Sequence, residues 1–245
     1  MVDIHCHILP KMDDGASDLE ESLAMARMAA ASGVTDIVAT PHFPGRRSSM
    51  RLLSRLMDRY QTLVEAIEWY EIPVKLHLGA EILCIADTVE LASQRMLPTI
   101  GDTDYFLTEF LFNESFEVMD AILQDIAALG YTPVVAHPER YKAVQHDPLA
   151  VQRWHDKGYV MQLNKGSVLG AFGNHVHDTS RVLLEAGLVH LIASDAHSAK
   201  HRTPHMGLLH QWMKRHMDSD RVHLLLEENP SRLLRGEPVL AVEKI

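Results

Sequence analysis

Near the amino terminus, "VDIHCHILPKMDDG" sets His5 and His7 one residue apart inside an apolar run, with Asp13 and Asp14 a few positions on. If Val2 to Ile8 is extended, Asp3, His5 and His7 point to one face, because strand side chains alternate. Three polar groups on a buried face need partners, and a metal ion is one such partner. Further along, His42 closes the run "IVATPH", Glu81 "LHLGAE", Glu109 "YFLTEF" and His137 "VVAHP", while Asp195 and His197 close "LIASDAH". With Asp14 these make five histidines and four carboxylates, more than the roughly four to six ligands one transition metal takes. The set suits two or three ions bridged by carboxylates. No thiolate contributes, so manganese, iron and zinc all fit. Clustered divalent ions of this kind bind phosphate oxygens, activate water and neutralise charge during hydrolysis of phosphate esters.

Two cations accompany the ligands. Arg140 follows His137 by three residues in "HPERY", and Arg202 lies just beyond His197 in "HRTPH". Guanidiniums beside a metal cluster read as a phosphate clamp. Arg46 and Arg47, after His42, could steer an acidic substrate, although a solvated loop explains them equally. A second His-x-His, at His175 and His177, precedes an apparent helix; its side chains need not share a face, so it reads as structural or surface. Cys6 faces away from His5 and His7 as a small buried hydrophobe. A cysteine-dependent phosphatase needs Arg six positions after its Cys, but Met12 follows Cys6 there and Glu90 follows Cys84. That mechanism is excluded.

The elements that must carry these residues form a repeating unit. In "AAASGVTDIVAT", "IAALGYTPVVAH", "WHDKGYVMQLN" and "LLEAGLVHLIAS" a helical stretch ends at Gly33, Gly130, Gly158 or Gly187 and an apolar run follows. Glycine just past a helix end supplies the left-handed cap, and the run after it reads as a strand of a parallel sheet. Seven strands are expected, at roughly 2–5, 36–40, 74–79, 105–109, 133–136, 159–163 and 189–193. Six of them deliver a metal-type ligand at the carboxyl end, where parallel barrels carry their active sites. Ser17 and Glu20 have capping-box spacing for a first helix. A terminal helix over "ENPSRLLRG" has Pro230 in its first turn and Gly236 beyond it.

The 245 residues carry a formal net charge of −10, which disfavours nucleic-acid backbones and anionic membrane surfaces. No apolar stretch reaches the ~18 residues of a membrane helix, no secretory signal is visible, and two cysteines make no disulfide framework. The expectation is one cytoplasmic domain over residues 1–245, with no membrane insertion.

The motifs "DIHCHILPKMDDG", "ATPH", "GAEI", "EF", "AHPERY", "IASDAH" and "RTPHM" resemble the polymerase-and-histidinol-phosphatase (PHP) superfamily. Within it they are similar to the manganese-dependent protein-tyrosine phosphatases of bacterial capsule and exopolysaccharide operons. The resemblance implies an α/β fold, a distorted TIM-like (β/α)7 barrel holding three divalent ions, manganese foremost. It implies His5, His7, Glu81 and Asp195 on the first ion, Glu81, Glu109 and His137 on the second, and Asp14, His42, Glu109 and His197 on the third. Arg140 and Arg202 would take the phosphate, and Asp3 would orient a histidine behind the ligands. The implied substrate is phosphotyrosine on a protein, the tail of a bacterial tyrosine kinase controlling polysaccharide export. The alternative is a small-molecule phosphatase of the histidinol-phosphatase type. A regulatory module without catalysis sits poorly with a complete ligand set. Amidohydrolases commonly place a carboxylated lysine where this chain has Glu109, and a nuclease needs a basic groove.

Overall fold

The computed structural model describes residues 1–44 and 50–244, so Arg46 and Arg47 lie outside the described residues. All seven expected strands are present, and those at 36–40 and 74–79 are each followed, after a bend, by a further short strand. β1 is Val2–Cys6, β2 Asp36–Ala39, β3 His42–Pro44, β4 Lys75–Leu78, β5 Glu81–Leu83, β6 Tyr105–Glu109, β7 Thr132–Ala136, β8 Val160–Asn164 and β9 Leu191–Ala193. Each pairing is parallel, in two sheets ordered β1-β2-β4 and β3-β5-β6-β7-β8-β9. Since β3 continues β2 and β5 continues β4, the two sheets share a pair of bent strands. A bridge between Cys6 and Ala196 links the far ends. There the Asp195 N–H donates to His5 O (2.9 Å) and the His7 N–H to Ala196 O (2.8 Å). The parallel-sheet α/β fold expected for a TIM-like arrangement is therefore present, with the strand ladders interrupted at the bends.

The bends have local causes. Pro41 has no N–H to give a ladder. A Cβ on Gly79 would come within 2.8 Å of Val38 Cγ1, so only glycine lets the two strands approach there. After each bend a ligand candidate opens the new strand, and the β3–β5 register sets His42 beside Glu81.

Helices pack outside the sheets over a core that includes Phe43, Leu63, Phe106, Trp154 and Met161. Gly33, Gly130, Gly158 and Gly187 all have φ between 70° and 89°, the left-handed caps expected from the repeat. The first helix, Leu19–Ala31, is capped one residue later than its spacing suggests. Asp18 accepts the Glu21 N–H, while Glu21 reaches back to the Ser17 N–H at 2.9 Å. Asp18 prevails because its carboxylate supplies the acceptor and also a charge suited to a helix N-terminus. Helix Asn229–Leu234 has Pro230 in its first turn and Gly236 beyond it at φ 69°. It continues from a π-helical turn, Leu224–Glu228. That wider turn precedes the proline, which can donate no hydrogen bond to an earlier carbonyl.

Candidate active site

The carboxyl ends of the strands converge on a cleft of ≈220 Å³ lined by Asp14, His42, Glu81, Glu109, Phe112, His137, Arg140, Asp195, His197 and Arg202. His5 and His7 lie beneath it, fully buried. All nine ligand candidates and both arginines thus meet in one place. His5 Nε2 and His7 Nε2 face each other at 3.2 Å. His5 Nε2 is 3.2 Å from Glu81 Oε1, and His7 Nε2 is 3.3 Å from Glu81 Oε2. Asp195 Oδ1 lies 3.6 Å from His5 Nε2 and 3.5 Å from His7 Nε2. His137 Nε2 meets Glu81 Oε1 at 2.8 Å and Glu109 Oε1 at 3.7 Å. His42 Nδ1 stands between Glu81 (3.0 Å) and Glu109 (3.3 Å). Asp14, 68% exposed, reaches His42 Nε2 and His197 Nε2 at 3.6 Å each and is the least constrained of the set.

Donor chemistry tests whether metal ions fit. The other ring nitrogens of His5 and His7 are engaged, His5 Nδ1 with Gln162 Oε1 (2.8 Å) and His7 Nδ1 with Asp13 Oδ2 (2.7 Å). Both partners are acceptors, so each Nδ1 carries a proton, and it is Nε2 that each ring turns inward, as a lone pair when the ring is neutral. Two ring nitrogens facing each other at 3.2 Å beside two carboxylates make a place for a cation, a proton or a metal ion. Three groupings have ligand atoms close enough for one: His5, His7 and Glu81; His42, Glu81 and Glu109; and His7, Asp14, His42 and His197. The residues fit divalent ions.

Protonation follows the same logic. Burial works against a charged His42, but hydrogen bonds to Glu109 and Glu81 push it up to about 10. His7 is raised for the same reasons, with Asp13 the chief partner against burial. Burial alone would raise Glu81 and Asp195, yet the surrounding histidines, His5 foremost, hold both below the usual carboxylate range. His197 falls to about 4 through burial and the nearby His7. In short, the carboxylates are held as anions and the imidazoles crowd around them, an arrangement in which protons and metal ions compete.

The residues that orient the ligands are not the expected one. Asp3 makes no hydrogen bond to a histidine among the described residues; its Oδ1 accepts the Ser194 N–H at 2.9 Å. Two strand positions place it ~7 Å below His5, under the imidazole layer. Asp13 and Gln162 do the orienting. Asp13 also accepts the His42 N–H (2.7 Å) and the Gly15 N–H (2.9 Å), and these bonds with His7 hold its pKa down to about 2 against burial. Gly15 permits the turn, since a Cβ there would lie 2.2 Å from His7 O. Gln162 and Asn164 come from β8, the one expected strand that offered no ligand. Asn164 Nδ2 donates to Asp195 Oδ2, and Gln162 Nε2 to Asn164 Oδ1 at 2.9 Å. In sequence neither residue is distinguishable from an ordinary amide at a strand end; only the unfilled place in the ring of ligands pointed to β8.

Arg140 Nη1 is 3.5 Å from Asp195 Oδ2, and Arg202 pairs with the same oxygen. His137, Asp195 and Arg202 all have positive φ (36°, 49° and 49°). Left-handed backbone in non-glycine residues is uncommon and is concentrated at functional sites. Cys6 and Cys84 are free and buried, and burial raises both thiols. His175 and His177 lie in helix Asn174–Glu185, two positions apart and so on different faces. Neither joins a metal grouping among the described residues.

Fold and site together define a class of enzyme, a metal-dependent hydrolase built at the carboxyl ends of a parallel α/β sheet. The chain belongs to the capsular polysaccharide synthesis CpsB/CapC family, whose model matches residues 1–235. It is 34% identical to the tyrosine-protein phosphatase YwqE of Bacillus subtilis, over 98% of this chain and 93% of that protein. It is 30% identical to the tyrosine-protein phosphatase CpsB of Streptococcus pneumoniae, over 97% and 99%. A chain from the crystal structures of YwqE from Bacillus subtilis and CpsB from Streptococcus pneumoniae, described as unique metal-dependent tyrosine phosphatases, matches with a TM-score of 0.87 at 32% identity, covering 100% of this chain and 99% of that one. Dihydropyrimidinase from Brevibacillus agri superposes with a TM-score of 0.55 at 11% identity, over 99% of this chain and 73% of that one. That likeness is of fold alone.

Proposed function

We propose that this chain, acting as one domain over residues 1–245, is a metal-dependent protein-tyrosine phosphatase. Its phosphoprotein substrate is the tyrosine-phosphorylated tail of a kinase that governs capsular or exopolysaccharide synthesis. The observation that carries the reading is the cleft itself: inward-facing Nε2 atoms of His5 and His7 between Glu81 and Asp195, with Arg140 and Arg202 at its edge. Three divalent ions, manganese foremost, are assigned to His5, His7, Asp14, His42, Glu81, Glu109, His137, Asp195 and His197. Bound there, divalent ions supply Lewis acidity toward phosphoryl oxygens and lower the pKa of water. Arg140 and Arg202 bind the phosphate oxygens and hold them as charge develops. Gln162 and Asp13 keep His5 and His7 in the tautomer that presents Nε2.

The leaving group supports tyrosine. Its phenol has a pKa of ~10, so the phenolate departs without the general acid an aliphatic alcohol requires. No helix is long and apolar enough to cross a membrane among the described residues. We place the protein in the cytoplasm, with the free Cys6 and Cys84 in keeping with a reducing compartment.

The test compares phosphotyrosyl peptide, phosphoseryl peptide and histidinol phosphate on protein whose metal content has been measured. Phosphotyrosyl peptide is expected to give much the highest kcat/KM. Equal or higher kcat/KM for histidinol phosphate would replace this reading with the small-molecule phosphatase.

A further inference from the structure

One aromatic ring lies beneath both arginines. Phe172 has its ring centroid 4.9 Å from Arg140 Cζ and 5.8 Å from Arg202 Cζ. Phe112 covers Arg140 from another side at 4.4 Å. The two guanidiniums converge on a single carboxylate oxygen, Asp195 Oδ2, so two like charges are held close together on long side chains. An arginine side chain loses rotamer freedom when it is held in one place, and mutual repulsion favours splaying the pair apart. A ring face attracts a guanidinium, the more strongly the more the pair is desolvated. A face shared by both arginines opposes both tendencies.

The segment that carries Phe172 is built to place it there. It leaves β8 through the short helix Lys165–Val168 and turns at Gly170 (φ 76°) and Gly173 (φ 91°). A Cβ on Gly166 would lie 2.7 Å from Phe172 Cε2 and 3.0 Å from Cζ, so the ring occupies the space that the missing side chain leaves. From the same segment the buried Lys165 ammonium donates to the carbonyls of Thr203 and His205. The loop bearing Arg202 is thereby tied to the element bearing Phe172.

We propose that Phe172, seated on Gly166, is a positioning residue that holds Arg140 and Arg202 at the spacing needed to grip one phosphoryl group. Its ring lies against the two arginines and Gly166, and it acts through the arginines. The inference rests on the reading that Arg140 and Arg202 bind phosphate.

The test uses the full metal-loaded chain carrying Phe172→Leu, Phe172→Ala, Gly166→Ala or Gly166→Ala with Phe172→Ala. Readouts are metal content, thermal midpoint, kcat and KM on a phosphotyrosyl peptide and a small alkyl phosphate, and competitive inhibition by inorganic phosphate. Phe172→Leu keeps apolar bulk but removes the ring face. It is expected to weaken inhibition by phosphate and to lower kcat/KM on both substrates alike, by about 2- to 30-fold, with metal content unchanged. Gly166→Ala, which displaces the ring without altering it, is expected to reproduce that loss, and to add nothing once Phe172 is alanine. A Phe172→Leu enzyme equal to wild type would overturn the inference. So would a loss confined to the aryl substrate with phosphate inhibition intact, which would place the ring against the substrate. If Arg140→Ala and Arg202→Ala leave phosphate inhibition unchanged, the phosphate-binding reading of the arginines fails first, and this inference falls with it.

Discussion

Asp195 divides its carboxylate between two tasks: Oδ1 faces His5 and His7, while Oδ2 pairs with the Arg202 guanidinium. One side chain therefore joins the metal-ligand floor of the cleft to its cationic edge. Asp195→Asn keeps the shape but not the charge, and it is expected to lower both metal content and phosphate affinity. Arg202→Ala should lose phosphate affinity alone. Elemental analysis of the purified variants, with phosphate inhibition measured in parallel, separates the two effects.

Glu109 and Arg140 should divide along the same line. Glu109 lies near both His42 and His137, so Glu109→Ala is expected to lose metal and rate together. Arg140→Ala is expected to retain its metal and lose kcat/KM by about 10²–10³-fold, the effect of removing a preorganised donor. Metal loss in the arginine variant, or full activity, would take Arg140 out of the site.

Metal rather than thiol should govern turnover. Cys6 and Cys84 are buried and free, and their thiols are shifted upward by burial, away from reactivity. Chelation is expected to abolish hydrolysis, with recovery on adding back a divalent ion. A Cys6→Ala, Cys84→Ala variant should keep near wild-type kcat, and a chelator-resistant enzyme silenced by the double substitution would refute the mechanism.

Asp13 is not itself placed among the ligands, yet it fixes His7 Nδ1 and the His42 backbone. Asp13→Asn is expected to weaken metal affinity by about 10–100-fold while the chain stays folded, as for other groups that orient a ligating histidine. Titration with metal, followed by calorimetry and circular dichroism, reads both quantities.

Acid sensitivity should have a source far from the cleft. His190 is buried, its Nδ1 accepts the Met161 N–H at 3.0 Å, and its ring stacks on His155. Burial, with His155 nearby, lowers its pKa from 6.5 to about 4. The unfolded chain therefore binds the extra proton first, and stability is lost as pH falls from ~6.5 towards 4. A shift of that size corresponds to about 3 kcal/mol. His190→Asn keeps an acceptor for Met161 without titrating, so urea unfolding of the variant should show a shallower decline over that range. Parallel declines would assign the acid sensitivity elsewhere.

What the sequence determined by itself were the features written in local pattern. Apolar runs, four of them after a capping glycine, located all seven strands, because a buried parallel strand must be apolar on both faces. Polar residues closing those runs named the ligand candidates, because the strand ends of such a sheet share one mouth. Local pattern could not show the bend between β4 and β5, since it depends on Gly79 meeting Val38 of the neighbouring strand β2, far away in sequence. Nor could it assign the orienting role to Asp13 and Gln162 rather than to Asp3. All are ordinary polar residues in sequence, and the choice depends on their height against His5 and His7 once the strands are in register. The same holds for Phe172, one loop aromatic among six phenylalanines until Gly166 and the folded segment bring it under Arg140 and Arg202. Hydrophobic periodicity specifies which residues are buried, whereas a contact between side chains far apart in sequence is decided only when the chain has packed.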